Sequence, residues 1–138
     1  MLRAVQLVIV RHAEAASGEP DELRPLTQQG REAARALGQR LARSGFQPDA
    51  ILSSPLLRAR ETAEELARPT PLEPEADERL APGATSEEVL AAAEGRGETV
   101  FVVGHQADCS RIAAALTGGQ EPAFPPGAMI TIELPELP

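Results

Sequence analysis

The sequence predicts an α/β fold built on a mostly parallel sheet. Three observations predict it. Short apolar runs rich in β-branched residues recur at Leu7-Val8-Ile9-Val10, Ala50-Ile51-Leu52 and Thr99-Val100-Phe101-Val102-Val103. Stretches with helical spacing of apolar residues separate them, and each run stops abruptly at small or polar residues. A continuous apolar run between polar flanks reads as a strand buried on both faces, which parallel sheets require. Strand, helix, strand in succession implies a right-handed crossover and a parallel pair.

The first run ends at Arg11-His12-Ala13-Glu14, and a polar loop follows over residues 16–26 with Glu19, Asp21, Glu22 and Arg24. Thr27 is a good N-cap, and Ala34, Leu37, Gly38 and Leu41 recur on one face of a helix ending near Ser44-Gly45. Pro48-Asp49 punctuates, and Ala50-Ile51-Leu52 is the second buried strand. Ser53-Ser54-Pro55 is a helix-start signal, with serine to cap and proline for the first turn, and the helix continues through Leu56, Ala59, Ala63 and Leu66. Residues 69–82 are rich in proline and acid. Within them Leu72-Glu73-Pro74-Glu75-Ala76 reads as a short edge strand, because its proline excludes it from a sheet centre.

Thr85 or Ser86 caps a third helix that runs to about Glu94, and Gly95-Arg96-Gly97 turns into the strand that ends at Gly104-His105. A fourth helix carries Cys109, Ile112, Ala115 and Leu116 and stops at Gly118-Gly119. A proline-rich loop over 121–127 leads to a last strand over 129–134. No repeat and no second domain is visible, so residues 1–138 read as one domain. The end, Leu134-Pro135-Glu136-Leu137-Pro138, reads as a frayed terminus or a contact.

A net charge of -8 and a pI near 4.8 exclude the basic face that a nucleic-acid partner needs. They also require any anion site to be built locally, from clustered arginines and helix N-termini. The apolar runs are too short to span a membrane, and no leader pattern opens the chain, so a cytoplasmic location is expected. One cysteine, Cys109, permits no intrachain disulfide. Its spacing to Ile112 and Leu116 places it on an apolar helical stripe as a buried, inert thiol.

The whole histidine content of the chain, His12 and His105, falls directly after the two most apolar strands. Ligands bind in the crevice outside the carboxyl ends of strands in open α/β sheets, so this is a shared functional address. Arg11 lies beside His12. Arg58 sits in the first turn of the second helix, where the macrodipole disfavours a cation and an acid is expected, which points to an anion held there. Two arginines and two imidazoles around a helix N-terminus describe a site for a dianionic phosphoryl group, with a nucleophile and charge neutralisation supplied without a metal or cofactor.

On these residues the sequence resembles the histidine phosphatase superfamily, which includes the phosphoglycerate mutases. Arg11-His12 after a first strand is similar to that family's nucleophile motif, the stretch from Ser53-Ser54-Pro55 through Arg58-Ala59-Arg60-Glu61-Thr62-Ala63 to its second segment, and Val103-Gly104-His105 to its third. Arg24-Pro25-Leu26-Thr27-Gln28-Gln29-Gly30, the small size and the short segment between Arg68 and Thr99 resemble the branch of bacterial phosphohistidine phosphatases called SixA. The resemblance implies a phosphoglycerate mutase-like three-layer α/β/α sandwich. It implies that His12 attacks phosphorus to form a phosphohistidine that water hydrolyses, and that Arg11, Arg58 and His105 bind the non-bridging oxygens. A backbone carbonyl is expected to fix the tautomer of His12. The substrate implied is a phosphohistidine protein or a small phosphomonoester.

The chain departs from the family in two places. Ala13 stands where a glycine commonly follows the nucleophile. The catalytic acid is also open: Glu78, in Asp77-Glu78-Arg79, lies about where the mutases place a glutamate, and Asp77 and Glu14 are nearby alternatives. Weak acid placement favours a labile P–N bond over an alkyl ester. Mutase activity is disfavoured, because little chain follows Arg68 to close over a sugar acid. A zinc hydrolase using His12 and His105 lacks the ligand spacing and would suffer repulsion from Arg11. The non-enzymatic rival is a module that binds phosphate or phosphoproteins without turnover.

Overall fold

The computed structural model describes residues 4–135, and Glu136, Leu137 and Pro138 of the proline-rich end lie outside that range. Five strands, β1 (Ala4–Arg11), β2 (Ala50–Ser53), β3 (Glu75–Ala76), β4 (Thr99–Gly104) and β5 (Met129–Pro135), form one sheet in the order β3-β2-β4-β1-β5. β3, β2, β4 and β1 run parallel to one another, and β5 pairs antiparallel with β1 at one edge.

Side chains alternate across the pleat, so each strand feeds both faces. Leu7, Ile9, Val100 and Val102 pack with the buried stripes of α3 (Ser86–Ala93) and α4 (Asp108–Thr117). Val8, Val10, Ile51, Phe101 and Val103 pack with α1 (Gln28–Arg43) and α2 (Leu57–Ala67). Residues 7–10 are all buried, which explains why β1 reads as a continuous apolar run rather than an alternating one. The result is the expected three-layer α/β/α sandwich. Among the described residues no helix is long and apolar enough to cross a membrane.

Local chemistry sets the helix ends. Thr27 accepts the Gly30 N–H to cap α1, and Thr85 forms a capping box with Glu88 to open α3. Gly118, at φ 74°, ends α4 in the left-handed region that favours glycine. Two expectations are corrected. α2 begins at Leu57 rather than at Pro55, and its N-cap residue, Leu56, carries no side-chain cap. Ser54 is the reason: its hydroxyl lies against His105 and accepts the Leu56 N–H, at 3.2 Å, so the chain turns once more before the helix starts. The edge strand is also shorter than the Leu72–Ala76 stretch, because Pro74 has no N–H to donate and only Glu75 and Ala76 pair with β2.

Register places the site. Arg11 lies opposite Gly104 across β1 and β4, and Ser53 opposite Val103 across β2 and β4. The carboxyl ends of three adjacent parallel strands are therefore level. The next backbone groups continue the ladder, His12 N–H to the Gly104 carbonyl and Ser54 N–H to the Val103 carbonyl, both at 3.0 Å.

Candidate active site

His12, Ser54 and His105 each follow one of these level strand ends. The His12 and His105 rings stand with centroids 5.2 Å apart and planes inclined by 61°. Both line a cavity of about 390 Å3 whose wall also includes Arg11, Arg58, Arg24 and Glu14. The structure thus brings together His12, His105, Arg11 and Arg58 from three parts of the chain.

His12 is oriented by backbone. Its Nδ1 lies 2.7 Å from the Ala13 carbonyl, and a carbonyl only accepts, so Nδ1 carries the proton and Nε2 keeps its lone pair. This is the backbone carbonyl expected from the sequence. Burial lowers the pKa of His12 below the ordinary 6.5, and Arg58, Arg11 and Arg24 push it the same way against the opposing Ala13 hydrogen bond. His105 is pushed down to about 4, first by burial and then by His12 and Arg58. Both shifts favour the neutral ring at pH 7. Cys109, behind them in α4, is buried with its thiol raised to about 12, as its apolar stripe implied.

The two arginines are held from behind. Arg11 Nη1 donates to the Phe124 carbonyl at 2.8 Å, so the loop before β5 fixes it. Gly127, at φ 78°, donates its N–H to the carbonyls of Arg11 and His12 and closes that loop against the strand end. Arg58 is 6% exposed, so it does not point to solvent. Its Nη1 donates to the Asp21 carbonyl at 2.9 Å and its Nη2 to Asp21 Oδ2 at 3.2 Å. Nε of Arg11 and Nε of Arg58 are buried with no partner among the described residues. Buried donors of this kind are rare in folded proteins, and here both belong to guanidinium groups lining one cavity.

The sequence did not single out Arg24 as a site residue, yet it lines the same cavity. Its Nε donates to Asp21 Oδ1 at 2.9 Å and its Nη1 to the Ala16 carbonyl at 3.1 Å. Glu61 in α2 accepts the Leu26 N–H at 2.8 Å and holds this loop in place. Arg24 escaped because a loop residue gives no periodicity, although its place in Arg24-Pro25-Leu26-Thr27 was a signal. Ser54 was read as a helix cap, and its approach to His105 depends on β2 and β4 being neighbours.

The three acid candidates separate. Glu14 lines the cavity, and its Oε1 accepts the Thr27 hydroxyl at 2.8 Å. Asp77 is paired with Arg79, whose hydrogen bonds hold its carboxyl below the usual range. The structure does not bring Glu78 to the group. It is exposed, opens the 3-10 turn Glu78–Leu80, and is not among the residues of the cavity wall. Among the described residues no three His, Cys, Asp or Glu side chains converge as metal ligands do.

Comparison with known proteins adds relatives to this geometry. A model of the histidine phosphatase superfamily (branch 1) matches residues 7–82. An uncharacterized protein of Picosynechococcus sp. is 38% identical over 125 residues, covering 84% of this chain and 75% of that one. The mitochondrial serine/threonine-protein phosphatase Pgam5 of Drosophila ananassae is 41% identical over 63 residues, which is 45% of this chain but 22% of that protein. The solved structure of the protein histidine phosphatase SixA complexed with tungstate superposes with a TM-score of 0.83 at 28% identity, covering 92% of this chain and 86% of that one.

Proposed function

The chain belongs to the histidine phosphatase superfamily and is a phosphatase, and from that premise we propose that it moves a phosphoryl group from a phosphohistidine protein to His12 and then to water. In the first step the Nε2 lone pair attacks phosphorus in line. The bond to the leaving nitrogen breaks and its electron pair stays with that nitrogen, so a substrate ring already protonated on its other nitrogen leaves as a neutral imidazole. In the second step a water oxygen attacks the phosphorus on His12, the P–Nε2 bond breaks, and orthophosphate departs from a regenerated neutral ring. Nδ1–H stays on the Ala13 carbonyl throughout.

One observation carries this reading: the 2.7 Å contact between His12 Nδ1 and the Ala13 carbonyl, which leaves the other ring nitrogen as a nucleophile beside the cavity. Arg11 and Arg58 supply forked donors for the non-bridging oxygens, and His105 a further one, so charge gathers on the phosphoryl group where donors already stand. The flanking arginines repel a metal cation, so the chemistry runs on protein groups alone. A phosphohistidine substrate is favoured by the likeness to SixA. A P–N bond to a protonated imidazole needs little further help to leave.

The test is phosphate release, with EDTA present, from a phosphohistidine peptide and from an aryl phosphate, for the native protein and for His12→Ala. Turnover that survives EDTA, favours the peptide and vanishes in the variant is expected. Faster turnover of the aryl phosphate moves the assignment to a small phosphomonoester, and persistence in His12→Ala rejects the nucleophile.

A further inference from the structure

We propose that Ser54 positions His105 by fixing its tautomer: the serine hydroxyl gives its proton to Nε2, so the neutral imidazole carries its own proton on Nδ1 and donates from there. Ser54 is fully buried at the end of β2, with Oγ 2.8 Å from His105 Nε2. The Leu56 N–H also donates to that oxygen, at 3.2 Å. A hydroxyl has two lone pairs and one proton. With one lone pair taken by Leu56, the direction of the contact with His105 decides the fate of the proton.

If Nε2 donated, both lone pairs would be occupied and the buried hydroxyl proton would have no acceptor among the described residues. Folded proteins avoid such orphaned donors. If Nε2 accepts, every group at the contact is satisfied. The ring is neutral at pH 7, since burial draws its pKa down to about 4, so one nitrogen alone carries a proton. That nitrogen is Nδ1, which makes no hydrogen bond within the described protein.

The two histidines then share one tautomer for opposite ends. His12 has Nδ1–H tied to the Ala13 carbonyl and offers a lone pair. His105 has its Nε2 lone pair tied to Ser54 and offers an N–H. An uncharged donor suits a phosphoryl oxygen, whereas the other tautomer would turn a lone pair towards an anion. This use of the N–H rests on His105 being a phosphoryl ligand, as proposed above; the tautomer itself rests on the Ser54 contact. Ser54 also joins the end of β2 to the first residues before α2, so the turn that delivers Arg58 and the ring of His105 are set by one hydroxyl.

Two-bond 15N–1H correlation spectra of the native protein labelled at histidine decide the point at pH 7. The chain has two histidines, and His12→Ala assigns them. Both rings are expected to show a protonated Nδ1, and a protonated Nε2 at His105 overturns the proposal. In Ser54→Ala the His105 pattern should move towards Nε2–H or a mixture, with binding of inorganic phosphate weakened about fivefold or more, on the scale of one lost hydrogen bond. Ser54→Thr, which keeps the hydroxyl, should restore both readouts. An unchanged His105 pattern in Ser54→Ala rejects the role of Ser54. Should Ser54→Ala fail to fold, the native spectrum and Ser54→Thr still decide. A native spectrum as expected, from a protein that hydrolyses no phosphorylated substrate, would reject the catalytic reading and leave the tautomer assignment standing.

Discussion

The hydroxyl of Thr62 accepts the Ala13 N–H at 3.0 Å and gives its own proton to the Arg58 carbonyl at 2.8 Å, so one buried side chain ties the nucleophile loop to α2. Ala13 is also the residue whose carbonyl holds His12 Nδ1. Thr62 therefore acts on the nucleophile at one remove.

Replacing Thr62 with valine keeps the shape and leaves the Ala13 N–H buried without an acceptor. A loss of about 1–3 kcal/mol in unfolding free energy is expected, read by urea denaturation. A fall of about tenfold or more in kcat/KM should accompany it, from a loosened His12. Thr62→Ser keeps the hydroxyl and should recover most of the activity. Loss of stability with unchanged kcat/KM would show that Ala13 does not need Thr62 to orient the ring.

Gly30 is required by a close approach. A Cβ built there would lie 2.2 Å from the Glu14 carbonyl oxygen, which itself accepts the Thr27 N–H at 3.0 Å. The first turn of α1 thus rests directly on the backbone that follows His12. Gly30→Ala must push the two apart, and a cost of about 1–3 kcal/mol is expected from overpacking against rigid backbone. Gly119→Ala, whose added carbon would meet nothing closer than Thr117 Oγ1 at 3.5 Å, serves as the comparison. Equal stability of the two variants would contradict the packing.

Legibility in the sequence follows from how local each signal is. β1 and β4 were readable because strands buried on both faces are apolar throughout, and the two histidines were readable because each follows one of them. Arg58 was readable as a cation where a helix dipole disfavours one. What escaped depends on neighbours in space. The 2.8 Å contact between Ser54 and His105 joins residues on different strands, and Ser54-Pro55 looks locally like a helix start. Arg24 reaches the cavity because Asp21 and Glu61 hold its loop, a relation no spacing encodes. Glu78 was placed by likeness along the chain, and the 3-10 turn Glu78–Leu80 leaves it exposed.

The pH dependence should report His12. The ring attacks only when neutral, and burial together with Arg58, Arg11 and Arg24 lowers its pKa below 6.5. Since kcat/KM follows the free enzyme, its acid limb should fall below pH 6.5, with activity lost as pH drops through the His12 pKa. His105, at about 4, stays neutral over the upper part of that limb. A bound phosphoryl dianion favours the imidazolium, so the limb of kcat should lie at higher pH than that of kcat/KM. A kcat/KM limb centred above 6.5 would contradict the lowered pKa.

The acid candidates make the sharpest comparison. Glu14 lines the cavity and is steadied by the Thr27 hydroxyl, whereas Glu78 is outside the wall. An alkoxide leaving group needs a proton as its bond to phosphorus breaks, and general acid catalysis typically contributes about 10²–10⁴-fold. A histidine leaving group can already be protonated on its ring. Glu14→Gln should therefore slow an alkyl phosphate by about tenfold or more while slowing a phosphohistidine peptide far less, and Glu78→Gln should alter neither. Steady-state kinetics on both substrates for both variants test this. Equal slowing of the two substrates by Glu14→Gln would mean that the carboxylate serves the water step common to both, and a large effect of Glu78→Gln would mean that the 3-10 turn Glu78–Leu80 brings its carboxylate to the phosphoryl group during turnover.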